Sequence, residues 1–511
     1  MDEGEPTFVV AGDEDSSSAG WSMGWSPDGD EDIRDERLRL SDVGKLARRA
    51  RRRVLRVARA EDRASFPKLL RSHLGAAVDD AEVIEESWPS YDQVNVQVGL
   101  DRWLEEEGRE HELVGLAHFR HREFGLSDLL RANDFDYGPT PGNVSWVNLP
   151  SGPDGEVVRA VRAGLYLVRD GDTRVVVLVL TGDPEMDMAA VQLQVAADHP
   201  GAAARTAAEV RALAVEHNVF RGQVISFGRD VFGERAALLQ FHRRPAMSAG
   251  DVILPEETLA MIRRQVVAVA EHRTLLLAAG QHLKRGLLLY GPPGVGKTHT
   301  VRFLCSELTG TTIVQLSGSA LSLISEACSV ARTLQPAMIV VEDVDLIAEE
   351  RGMHPGQHPL LFQLLNEMDG LAEDSDVVFL LTTNRADVLE PALAARPGRV
   401  DQAVSMQLPD AEARRRLFHL YRRDLAVDES HLDSVVERTE EVTASFLKEL
   451  LRRAALVAAD QRAEEVGPLS VSAEQLDAAL DELLDTRNAM TRTLLGGQRA
   501  RDSWADGPDA D

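Results

Sequence analysis

Gly286-Leu-Leu-Leu-Tyr290, Gly291-Pro-Pro-Gly-Val-Gly-Lys-Thr298 and a helical pattern starting at His299 follow one another without a gap. An apolar run, a glycine-rich turn ending in Lys-Thr, and a helix make up a phosphate-binding unit of the Walker A kind. Gly291, Gly294 and Gly296 let the backbone turn tightly, so bare N–H groups and the helix N-terminus face one point. A triphosphate fits such a cradle. The candidate nucleotide-binding residues are Gly291, Pro292, Pro293, Gly294, Val295, Gly296, Lys297, Thr298 and His299. Lys297 would reach the β- and γ-phosphates and Thr298 a Mg²⁺ ion.

Further along, Met338-Ile-Val-Val341 leads into Glu342-Asp-Val-Asp345, which puts carboxylates at the end of a second apolar strand. Open α/β sheets bind their ligands at that end. A third strand, Val377-Val-Phe-Leu-Leu381, runs into Thr382-Thr-Asn-Arg385, bringing the amide of Asn384 to the same edge. Asn384 is placed to orient an attacking water. After it, the turn-rich Glu390-Pro-Ala-Leu-Ala-Ala-Arg-Pro-Gly-Arg-Val-Asp401 carries Arg396 and Arg399.

In this order and at these separations, with Leu364-Leu-Asn-Glu-Met-Asp-Gly-Leu371 between them, the motifs resemble the AAA family of ATPases over about 250–490. Within that family they are similar to the clade marked by a second region of homology. The resemblance implies an α/β fold: a P-loop NTPase AAA core with a C-terminal helical lid, preceded here by a mixed α and α+β N-terminal region. It implies ATP and Mg²⁺ as substrate and cofactor, Asn384 as sensor 1, and Arg396 and Arg399 as arginine fingers in a neighbouring subunit's site. A ring, usually a hexamer, follows from such fingers. Thr439 to Phe446 corresponds to the sensor 2 turn, with Ser445 where the family usually has alanine.

Three departures qualify the resemblance. The usual Asp-Glu of the Walker B strand is inverted: Glu342 would hold Mg²⁺ through water, and Asp343 would be the base that polarises the attacking water. The AAA branch that includes the mitochondrial translocase of the folded Rieske protein shares this order. Between Ser317-Gly318 and Pro336 there is no aromatic residue and no glycine after Gly318, whereas threading AAA unfoldases carry an aromatic pore loop there. A single helix from Ala320 to Leu334 is the reading adopted, with Leu321, Leu323 and Ile324 as a reduced apolar grip the alternative. Finally, an extra residue between Pro391-Ala-Leu393 and Arg396 leaves open which arginine is the finger.

The rest of the chain is less specific. A 511-residue chain with 44 % hydrophobic residues can bury several cores. Its formal net charge of −28 opposes nucleic-acid binding by the whole surface, and no nucleic-acid motif is evident. Cys305 and Cys328 fall in apolar helical patterns and read as buried, reduced thiols. Met1-Asp-Glu-Gly-Glu5 has no basic or apolar leader character and no apolar run reaches membrane-spanning length, so a cytoplasmic protein without a transmembrane anchor is expected. The 14 histidines form no His-Glu-x-x-His string, against the reading of a membrane-anchored AAA metalloprotease.

The expected organisation is as follows. Residues 1–36 form a disordered acidic tail, with Trp21 and Trp25 as a candidate docking motif. Residues 37–149 are mainly helical, including a basic amphipathic helix from Lys45 to Arg59, which is a solvated face or a contact for membrane or nucleic acid. Helix is also expected over Leu113 to Leu130. Residues 150–246 read as a small α+β domain with a hairpin around Asp170-Gly-Asp172 and strands at 222–227 and 237–241. Residues 247–408 are the large ATPase subdomain, 409–486 the helical lid and 487–511 a disordered tail. Such a machine either remodels a protein client or acts as a nucleotide-switched scaffold without threading.

Overall fold

The structure is a computed structural model that describes residues 65–117, 124–131, 139–181, 190–229, 237–345, 359–386, 399–462 and 469–485. The acidic tail with Trp21 and Trp25, the basic segment 45–59, Arg396 and the tail 487–511 lie outside the described residues.

The first layer is a seven-stranded antiparallel sheet built from β1 (Val83–Pro89), β2 (Arg109–Ala117), β3 (Thr140–Gly142), β4 (Ser145–Pro150), β5 (Val157–Asp170), β6 (Thr173–Thr181) and β7 (Ala190–Ala197). Helices cover both of its faces: α1 (Phe66–Leu74) and α2 (Gln93–Leu104) lie on opposite sides, joined by α3 (Leu126–Arg131) and α4 (Ala202–Glu216) respectively. Along β6, Val175, Val177 and Val179 enter one core while Val176 and Leu178 enter the other. The expected hairpin is present, with Asp170 paired to Thr173.

Two expectations are corrected here. Leu113 to Ala117 is strand, not helix: it pairs with β5, Leu113 facing Tyr166 and Val114 facing Leu165. Because both faces of this sheet are buried, the polar–apolar alternation of a strand is erased, and leucines three apart mimic a helix. The boundary placed at 149/150 also falls inside a pair of bonded strands, since Pro150 opposes Val157 and Trp146 opposes Val161.

The second layer is the sheet that carries the motifs. Its strands are β8 (Val224–Arg229), β9 (Ala237–His242), β10 (Arg285–Tyr290), β11 (Thr312–Leu316), β12 (Ala337–Val341), β13 (Val377–Thr383) and β14 (Gln402–Ser405), in the order β14-β10-β13-β12-β11-β8-β9. All neighbouring pairs are parallel except β8–β9. The strands at 222–227 and 237–241 were expected in a separate α+β domain. They instead extend this sheet, Val224 pairing with Ile313, because the exposed edge of β11 offers backbone groups that β8 satisfies.

β12 and β13 are buried throughout and β10 nearly so, as parallel strands covered on both faces must be. One covering layer contains α5 (Lys297–Glu307) and the other α6 (Ile324–Thr333) and α7 (Pro359–Asp369). The lid follows as α8 (Ala411–Arg422), α9 (Leu432–Arg438), α10 (Ala444–Asp460) and α11 (Ala473–Leu484) around their own core. Among the described residues, no helix is long and apolar enough to cross a membrane.

Candidate nucleotide site

Strand order places the site. β13 lies between β10 and β12, so the carboxyl ends of three neighbours converge: Tyr290 pairs with Thr383, and Val341 with Leu381. The loop 291–296, the segment 342–345 and the segment 384–385 therefore share one edge.

In the loop, Gly291 has φ 149° and a Cβ there would lie 2.3 Å from the Met406 carbonyl oxygen. Gly294 has φ 82°, and its Cβ would meet Thr443 Oγ1 at 2.9 Å and Ser445 Oγ at 3.1 Å. No side chain fits at either position. Val295 is buried in the core, which leaves its backbone as the part that borders the loop. Lys297 is buried and its Nζ donates to the carbonyls of Gly291 and Pro292 and to Asn384 Oδ1, each at 2.8 Å. Burial holds its pKa below the usual lysine value, while the charges of Asp343 and Asp345 oppose that shift.

Asn384 links the two motifs, because its Nδ2 donates to Asp343 Oδ1 at 3.2 Å while its Oδ1 accepts from Lys297. Asp343 has φ 52°, left-handed backbone that aspartate tolerates better than most residues, and its N–H donates to Thr382 Oγ1 at 3.1 Å. Glu342 Oε2 stands 3.5 Å from Thr298 Oγ1. Burial and then the neighbouring Asp343 raise the Glu342 pKa, with Arg302 and Thr298 acting the other way. Oxygen donors from a hydroxyl and a carboxylate at the lip of a phosphate loop are the hard set that Mg²⁺ takes, so these residues fit that ion.

His299 Nε2 donates to the Asp251 carbonyl at 2.8 Å, tying α5 to the segment between β9 and β10. From the lid, the N-terminus of α10 reaches the loop, where Ser445 N–H and Oγ both donate to the Gly294 carbonyl, at 3.3 and 3.4 Å. Arg399 lies at the opposite end of β10 from the loop. Its neighbour Asp401 accepts from the Gly286 N–H at 2.7 Å, and its guanidinium makes a two-pronged pair with Asp369.

Leu321 and Ile324 are buried in the core beside α6, and Leu323 packs against it, so an apolar grip at that segment is not formed. The expected single helix is a 3₁₀ turn, Gly318–Leu323, followed by α6. Cys305 and Cys328 are fully buried free thiols, pushed up to about 12 by burial. Sequence reading assigned no role to Asp345 or Arg302. The only signal for either was position, three residues beyond Glu342 and five beyond Lys297.

Residues 287–408 match the family model described as ATPase family associated with various cellular activities (AAA). The chain is 36 % identical over 224 residues to ATP-dependent zinc metalloprotease FtsH 2 of Sphaerobacter thermophilus, covering 41 % of this chain and 33 % of that protein. It is 30 % identical over 269 residues to ATP-dependent zinc metalloprotease FtsH of Bacillus subtilis, covering 50 % and 41 %. The chain thus spans well under half the length of these relatives. With the loop, the two carboxylates and Asn384 gathered on one sheet edge within the matched residues, residues 287–408 form an AAA ATPase domain.

Proposed function

We propose that this protein hydrolyses ATP with Mg²⁺ as a homo-oligomeric ring, a hexamer, and uses the cycle to remodel protein clients. The observation that carries the reading is the continuous chain Lys297–Asn384–Asp343, beside the facing oxygens of Thr298 and Glu342. Loop amides and Lys297 bind the phosphates, Asp343 polarises the attacking water and Asn384 orients it. Thr298 and Glu342 hold Mg²⁺, which when bound neutralises phosphate charge. Arg396 or Arg399 completes the site of the next subunit. The pairing of Arg399 with Asp369 favours Arg396 for that role.

A second reading, a nucleotide-switched scaffold that opens or closes partner sites without threading, draws support from the burial of Leu321 and Ile324. One experiment separates the readings. Asp343→Asn should bind ATP yet lose turnover by about 100-fold or more. Purified with ATP and weighed by native mass spectrometry, it should form a ring that retains a protein client. A ring with no client favours the scaffold, and a monomer with no partner overturns both. Turnover undiminished in Asp343→Asn removes the assigned base.

A further inference from the structure

Asp345 is the third carboxylate of the Walker B segment, and it is buried. Its Oδ1 accepts from the Thr383 hydroxyl at 2.8 Å and from the Asn384 backbone N–H at 3.3 Å. Thr383 Oγ1 in turn accepts from the Arg385 N–H at 2.9 Å. One carboxylate oxygen thereby fastens the end of β13 to the segment leaving β12. A parallel bond runs in the other direction, from the Asp343 N–H to Thr382 Oγ1, and Val344 N–H donates to the Thr382 carbonyl at 2.9 Å. The last strand residues and the Walker B turn are stitched together up to the backbone of Asn384. Asn384 itself is exposed, and among the described residues its side chain bonds to Lys297 and Asp343. Where that side chain points depends on its backbone, and the backbone N–H that fixes it is bonded to Asp345.

We propose that Asp345 is a positioning residue for ATP hydrolysis, acting through Thr383 and the Asn384 backbone to hold the Asn384 amide between Lys297 and Asp343. The proposal rests on the reading of this edge as an ATPase site. Asp345 makes no contact with phosphate or water in this role, so its loss should spare binding and slow turnover. A misplaced orienting group typically lowers the rate about 10- to 100-fold.

The test uses the full chain with Mg²⁺–ATP, measuring ATP affinity by calorimetry and kcat and KM in steady state. Asp345→Ala should lower kcat by about tenfold or more while ATP affinity stays within about threefold. Asp345→Asn keeps an acceptor oxygen for both donors and should restore most of the turnover. Thr383→Val, which removes one donor and leaves Asp345 intact, should share part of the loss and guards against Asp345→Ala failing to fold. The decisive arm is Asp345→Ala combined with Asn384→Ala: if Asp345 acts through Asn384, the double variant turns over no more slowly than Asn384→Ala alone. Multiplying losses, or an unchanged kcat in both Asp345→Ala and Thr383→Val, overturn the proposal while leaving the ATPase reading intact. A wild-type chain that does not turn over ATP overturns both.

Discussion

Glu342 and Lys297 show how burial tunes single residues at the site. Each is pushed toward its neutral form, Glu342 upward and Lys297 downward, and each faces charges that modify the shift. For Glu342 the sign of the effect on stability is definite. A carboxyl whose folded-state pKa is raised contributes stability that is present below the ordinary glutamate range and lost as pH rises through the raised value. Glu342→Gln removes that loss. Its melting temperature should match the parent's in acid and exceed it at neutral pH. Thermal melts across that pH range check this, and a gap that shrinks toward neutral pH counts against the assignment. Most site residues were legible from sequence because loop, carboxylates and amide each sit in a short string whose chemistry is local. Asp345 was not, since its partners Thr383 and Asn384 come from another strand and only the register of β12 on β13 brings them within reach.

The hairpin β8–β9 is held by more than its strand pairing. Arg244, just past β9, donates through Nη1 to the carbonyls of Cys305 and Leu308 and through Nη2 to those of Gly222 and Thr311. A guanidinium at the C-terminal end of α5 satisfies carbonyls that have no helical partner and lies favourably on the helix dipole. Burial lowers its pKa without discharging it at neutral pH. Arg244→Ala should cost about 2–3 kcal/mol, since the bonds are to a charged donor and leave carbonyls unpaired. Arg244→Lys should recover little of this, for an ammonium cannot span four carbonyls set around a planar fork. Denaturant unfolding measures the loss, and hydrogen exchange should localise it to 222–229 and 237–242. A loss below about 0.5 kcal/mol would mean that the hairpin is held by its ladder alone.

At the scale of the molecule, the N-terminal layer is joined to the ATPase sheet through that same hairpin. Tyr91 meets Phe227 edge to face with ring centroids 5.6 Å apart, Val94 enters the ATPase core, and Asn95 Oδ1 accepts from the Val219 N–H at 2.9 Å. Burial above all, then the charges of Asp92 and of Glu326 on α6, raise the Tyr91 pKa. Tyr91→Ala removes a half-buried aromatic contact worth about 1–3 kcal/mol. Calorimetry should then resolve the joint unfolding of the two layers into separate steps, with the N-terminal layer melting first. A single transition merely shifted downward would show that Val94 and Asn95 suffice as the joint.

The sequence by itself determined the nucleotide chemistry and the α/β class of the ATPase domain, because a phosphate loop is a contiguous string and parallel core strands are contiguous apolar runs. The helical lid was visible for the same reason, its leucines recurring at helical spacing in α10. Tertiary structure alone decided the rest. Whether Leu113 lies in a helix or a strand depends on a partner fifty residues away, Tyr166. Whether 224–229 belongs to the N-terminal layer or to the ATPase sheet depends on the free edge of β11. The same holds at residues 318–324, where composition left open a grip on a client. Packing against the sheet instead buries Leu321 and Ile324, because apolar side chains with a core within reach leave the surface.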